Sequence, residues 1–102
     1  RVMIRHTVVF SLKHAAGSPE EAAFLRDAMI LAGIPGVRNF EQLRQISPKT
    51  DFAFGFAMAF ADQAAYSAYD AHPDHVAFVR DRWIPEVSSF MEIDYQLLQQ
   101  QP

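Results

Sequence analysis

The chain has 102 residues, half of them hydrophobic, with nine Phe, no Cys and a formal charge of −3. That length fits one domain over residues 1–102 with a modest core, and the composition is too apolar for a disordered chain. Absence of cysteine excludes disulfide and thiolate chemistry, the lack of a Lys/Arg cluster argues against a nucleic-acid partner, and no apolar run approaches the roughly 20 residues that span a bilayer.

Residues 3–13 alternate with period two. Ile4, His6, Val8, Phe10 and Leu12 face one way and Arg5, Thr7 and Val9 the other, which predicts a first strand. This alternation is not the apolar block of a signal peptide, so a cytoplasmic protein is expected, with Met3 a candidate natural start. Ala15-Ala16-Gly17 reads as a turn, and Ser18-Pro19-Glu20-Glu21 as a capping box with proline at the first helical position. The helix should run to about Leu31 with Phe24, Leu25, Ala28, Met29 and Ala32 on its inner stripe, and Gly33-Ile34-Pro35-Gly36 stops it. A more polar strand over 37–46 and a turn at Ser47-Pro48-Lys49-Thr50 follow.

The third strand, over 52–60, carries Phe52, Phe54, Phe56, Met58 and Phe60 on one face and Ala53, Gly55, Ala57 and Ala59 on the other. Both faces are apolar, so both should be covered. The bulky face is expected to meet the helices, where large side chains fill the wider gap. Asp62 should cap a second helix through Tyr69, and Asp74 a short helix from His75 to about Trp83, ended by Pro85. Residues 89–98 form a fourth alternating strand, with Met91, Ile93, Tyr95 and Leu97 opposed to Phe90, Glu92, Asp94 and Gln96, and 99–102 are a loose tail. The order β-α-β-β-α-(α)-β is the ferredoxin-like α+β pattern, a four-stranded antiparallel sheet with helices on one face. A second sheet is the simplest cover for the other face, so a symmetric homodimer is expected.

The segment Tyr69-Asp70-Ala71-His72-Pro73-Asp74-His75-Val76 carries the chemistry. A histidine in the first turn of a helix is disfavoured as imidazolium by the helix dipole, and a neutral imidazole can act as a general base. The Tyr69 hydroxyl can hydrogen-bond a carbonyl oxygen that turns into an enolate. The structural alternatives are a His75 that only closes the turn and a Tyr69 that only packs beside it. His6, inside an apolar row, needs a partner, either as pocket wall or as a satisfied core histidine. Phe24, Phe78 and Trp83 can line an apolar ligand pocket or serve as plain core. His72 reads as a helix C-cap. With a proline between them and no evident third ligand, His72 and His75 do not read as a zinc site, so no metal is expected. No Gly-rich phosphate loop or cofactor-anchoring lysine motif is present, so no organic cofactor is expected.

Met3 to Phe10, Ile34-Pro35-Gly36-Val37, His72-Pro73-Asp74-His75-Val76 with Phe78, and Asp94-Tyr95 together resemble the stress-responsive dimeric α/β-barrel (Dabb) family over nearly the whole chain. The resemblance implies two ferredoxin-like halves sharing a barrel. In the motif segments the chain is similar to plant polyketide cyclases of the olivetolic acid cyclase branch. That similarity implies His75 as base, Tyr69 as its assistant six residues earlier, and His6 near a pocket between sheet and helices. A first-helix tyrosine of that branch falls at Asp27 here, which separates the chemistry from the cyclase's own substrate. The expected function is cofactor-free acid/base catalysis on a small, apolar, carbonyl-containing, polyketide-like ligand, giving an aldol-type cyclase, lyase or isomerase. The alternatives are a non-catalytic stress-responsive dimer, or a monooxygenase-like enzyme of the same fold.

Overall fold

A computed structural model describes residues 3–98. Arg1 and Val2, ahead of the candidate start, and the tail over 99–102 lie outside the described residues. Strand β1 is Ile4–Leu12, helix α1 Pro19–Asp27, β2 Arg38–Arg44, β3 Phe54–Phe60, helix α2 Gln63–Ala71 and β4 Val87–Tyr95. The sheet order is β2-β3-β1-β4, every pair antiparallel, with the helices on one face. This is the expected ferredoxin-like α+β fold. No helix among the described residues is long and apolar enough to cross a membrane.

Local chemistry accounts for the elements. The Ser18 hydroxyl accepts from the Glu21 N–H, while the Glu21 carboxylate accepts from the Gly17 N–H, so the capping box closes one residue earlier than its standard form. The inner stripe expected for α1 needs correction. From Ala28 the chain tightens into a 3-10 segment, Ala28–Gly33. Three residues per turn then bring Ala28, Leu31 and Ile34 into the core, while Met29 stays half exposed. Gly36 leaves the segment at φ +92°, left-handed backbone that favours glycine. Asn39 takes φ 54° where the pairing of β2 with β3 shifts between Arg38 and Glu41, a left-handed position at a bulge that asparagine tolerates.

The Phe face of β3 meets the helices, as expected. Phe54, Phe56, Met58 and Phe60 join Phe10, Phe24 and Tyr66 in one buried cluster. The opposite face carries Gly55, Ala57 and Ala59, flanked by Val9 on β1, Leu43 on β2 and Met91, Ile93 and Tyr95 on β4. Leu43, Met91, Ile93 and Tyr95 are exposed there.

The helical stretch after α2 also departs from expectation. The helix begins at Pro73, and its N-cap is His72, whose Nδ1 accepts from the Asp74 N–H at 3.1 Å. A residue before proline is driven to extended backbone, so His72, at ψ 136°, is pre-set as the cap, and Asp74 moves into the first turn. His72 also ends α2 by donating its N–H to the Tyr69 carbonyl. Its backbone thus closes α2 while its ring caps the next helix. The run continues without a break as α3 (Pro73–Phe78), a π-turn (Val79–Trp83) and α4 (Ile84–Glu86). Pro85 sits inside the final turn and does not end the helix at Trp83. Glu86 anchors its end, accepting from Arg82 Nε at 2.5 Å and hydrogen-bonding His14 Nε2 at 2.7 Å. The Arg82 guanidinium beside it holds the Glu86 carboxyl below the usual carboxylate range.

Candidate functional site

β1 and β4 pair with His6 opposite Asp94, Val8 opposite Glu92 and Phe10 opposite Phe90. Residues directly opposite share a sheet face, so all six side chains point to the helix side. The helical run from Pro73 to Glu86 spans the same side without sealing it. A cavity of about 450 Å3 remains between them, a size typical of small-molecule sites. Val8, Leu31, Phe56 and Met58 line it from the sheet and α1 side, with Phe78, Val79, Trp83 and Ile84 from the helix above. Its polar groups are His6, Tyr69, Asp70, His75 and Glu92.

Two imidazoles face this space, each held by its Nδ1. The His75 Nδ1 lies 3.0 Å from the Asp70 carbonyl. A carbonyl only accepts, so Nδ1 carries a proton, and in the neutral ring the lone pair is on Nε2. The Tyr69 ring packs against His75 with centroids 4.5 Å apart. Tyr69 is 2 % exposed, and among the described residues its hydroxyl has no protein hydrogen-bond partner, although no buried side-chain polar atom is left unsatisfied. The hydroxyl therefore opens onto the cavity. Burial first, then the charges of Asp70 and Glu92, push the Tyr69 phenol above its ordinary range, so it stays a neutral donor.

His6 is buried, and its Nδ1 lies 2.6 Å from Asp94 Oδ1 and 2.8 Å from the Tyr66 oxygen. The Tyr66 hydroxyl donates to Asp94 Oδ2 at 2.8 Å. With that proton committed to the carboxylate, the His6 Nδ1–H donates to Asp94 and shares itself with the Tyr66 oxygen. The triangle fixes the ring with Nδ1 as the donor, so that a neutral ring has its lone pair on Nε2, the arrangement by which a carboxylate orients a histidine. Burial, then hydrogen bonding to Asp94, pushes the Tyr66 phenol up as well.

Of the residues singled out from sequence, His6, Tyr69, His75, Phe78 and Trp83 all line the cavity, and Phe24 does not. Phe24 is fully enclosed behind the wall, 5.5 Å from Phe78 and 6.2 Å from Trp83 between ring centroids. It is rigid backing, because a residue on α1 that packs against the helix above cannot also face the gap beyond it. Asp27 ion-pairs with Arg82 and is likewise absent from the lining. Sequence reasoning missed Asp94 and Tyr66, as well as the cavity carboxylates Asp70 and Glu92.

Asp94→Asn offers a direct check on the triangle. Its amide can donate to Nδ1 and so reverse the His6 tautomer. The expected outcome is an exchange of the protonated and bare ring nitrogens in His6 15N spectra, with a stability loss of about 1–3 kcal/mol. An unchanged His6 tautomer would show that Asp94 does not set it.

The stress responsive A/B barrel domain (Dabb) profile matches residues 4–97. The chain belongs to the Dabb family. A Dabb protein of Mesorhizobium loti with a ferredoxin-like fold is 68% identical, with TM-score 0.96 over 97% of this chain and 100% of that one. A stress-response A/B barrel domain-containing protein of Arabidopsis thaliana is 27% identical over 91% of this chain, which spans 36% of that relative's length. Two more distant structures show the fold alone. The hydroxynitrile lyase of Passiflora edulis is 16% identical with TM-score 0.80, over 98% of this chain and 97% of the lyase. A dimeric ferredoxin-like protein of unknown function from Thermobifida fusca is 19% identical with TM-score 0.78, over 94% of this chain and 92% of that one.

Proposed function

We propose that this Dabb domain is a cofactor-free acid/base catalyst acting on a small carbonyl compound bound between sheet and helices. One observation carries the reading: His75, its Nδ1–H held by the Asp70 carbonyl, and Tyr69, whose hydroxyl has no hydrogen-bond partner among the described residues, line the same cavity with their rings 4.5 Å apart. His75 Nε2 takes a proton α to the carbonyl. The electron pair of the broken C–H bond passes to the carbonyl oxygen, where the Tyr69 hydroxyl donates a hydrogen bond to the enolate. The enolate carbon then attacks a second carbonyl of the same molecule, as in an aldol-type cyclisation, or is reprotonated elsewhere, as in an isomerisation. A lyase follows from the reverse step, and a hydroxynitrile lyase of the same fold is compatible with it. Phe78 and Trp83 hold the apolar body of the ligand, and His6, which lines the same cavity with its ring 6.2 Å from that of Tyr69, is a second candidate proton acceptor.

The test is deuterium exchange at the α-carbon of phenylacetone in D2O, followed by NMR. The protein should accelerate exchange above the buffer rate, and loss of His75 should abolish the acceleration. No acceleration, together with no ligand-induced shift of the His75 ring, would favour the second reading, a non-catalytic dimer in which the His75–Asp70 bond only closes the turn after α2.

The domain acts as a homodimer in this proposal. The outer sheet face presents Leu43, Met91, Ile93 and Tyr95 around a floor of glycine and alanine, an apolar surface suited to a second sheet. The dimeric Thermobifida fusca protein has the same fold. Sedimentation equilibrium should give twice the 11.6 kDa chain mass, and a monomer at micromolar concentration would refute the assembly.

A further inference from the structure

The charges around the cavity are one-sided. Asp70 on α2 and Glu92 on β4 both line it, and no lysine or arginine among the described residues does. On the helix above, Arg82 is committed to Glu86 and Asp27, and Arg80 is tied to Asp81. The remaining groups able to carry positive charge there are the two imidazoles. His6 already faces the Asp94 carboxylate through its Nδ1, so a proton on its ring would be balanced from behind, and His75 has its Nδ1 on a backbone carbonyl. The rest of the wall is aliphatic and aromatic, including Val8, Leu31, Phe56 and Met58, which penalises any charged guest by desolvation. Both carboxylates also reach the phenol beside His75, since each pushes Tyr69 toward its neutral form.

We infer that the cavity selects by charge: its ligand is an uncharged carbonyl compound (a ketone, aldehyde, ester or thioester) and not a free carboxylic acid, with Glu92 at the open side enforcing the exclusion. The inference rests on the proposed function and narrows its substrate class. It agrees with the chemistry, because moving a proton from a neutral ligand to His75 creates imidazolium and enolate together, a pair of opposite charges in one cavity. A carboxylate ligand would add a second negative charge with no fixed cation to meet it, beside two carboxylates already in place. Glu92 is exposed, and its partner across the strands is Val8, so its charge can be removed without leaving a buried group unpaired.

Phenylacetone and phenylacetate test the inference. They share the benzyl group and nearly the same size, and differ in methyl ketone against carboxylate. Their affinities are read by NMR titration of the His6 and His75 ring signals at 0.15 M ionic strength. Phenylacetone should bind at least about tenfold more tightly than phenylacetate. Glu92→Gln should narrow that ratio by about threefold or more, and Glu92→Asp, which keeps the charge, should restore most of it. Equal binding of the two probes, or a ratio indifferent to Glu92→Gln, overturns charge selection and leaves the acid/base reading standing. If neither probe shifts either ring, the cavity is no ligand site and both readings fall.

Discussion

Phenylacetone exchange should fall by about 10²–10⁴-fold in His75→Ala, the usual worth of a positioned general base. That range corresponds to about 3–5 kcal/mol of barrier. The fold should survive the change. The side chain is partly exposed and makes one hydrogen bond, to the Asp70 carbonyl, so its loss should cost stability about 0.5–1.5 kcal/mol. Tyr69→Phe should slow the reaction less, since it removes the donor to the developing oxyanion and keeps the base. A His75→Ala protein that exchanges the ketone as fast as the parent would remove His75 from the chemistry, whatever Tyr69 does.

Phe10→Ala should be the most damaging single core change among these, at about 3–5 kcal/mol. Phe10 is fully buried at the centre of the aromatic cluster, with ring centroids 4.7 Å from Phe56, 5.0 Å from Trp83, 5.7 Å from Phe54 and 5.9 Å from Phe24. Its neighbours come from β3, α1 and the π-turn, so no single element can collapse into the void. Against a total stability of about 5–15 kcal/mol for a domain, much of the margin disappears. The measurement is urea denaturation at fixed protein concentration, because an associating protein gains stability by mass action. A loss under about 1 kcal/mol would mean that the core repacks freely around the gap. Trp83, which touches Phe10 and also lines the cavity, carries the same substitution into the site, so ligand affinity should fall along with stability.

Strands were the most legible part of this chain. Period-two alternation in β1, β3 and β4 fixes which side chains share a face, and the crowding of Phe on one face of β3 shows where the helices lie. The capping residues Ser18 and Asp62 were readable because their bonding is local. Errors fell where a local rule met a competitor. Pro73 forces its predecessor to be extended, so His72 displaced Asp74 as cap, and a tightened helical end turned Met29 outward. The Tyr69–His75 corner of the cavity was within reach of the motif, since these two residues are neighbours along the chain. The His6–Asp94–Tyr66 triangle was not, because its members come from distant parts of the sequence. A signal existed all the same. The ferredoxin-like order places the first and last strands side by side; β1 carries His6 as the one ionisable residue of its helix-facing row, and β4 carries Glu92 and Asp94 in its own, with Asp94 directly opposite His6.

The widened turn from Val79 to Trp83 bears on how such a cavity could be gained or lost. A regular helix advances about 100° per residue, and a π-turn is in effect a helix holding one surplus amino acid. Excising a single residue there would wind the segment back to ordinary pitch and swing the chain's only tryptophan a quarter-turn or more off its present bearing. A one-codon deletion could therefore reshape the binding chamber while leaving every strand of the scaffold where it is.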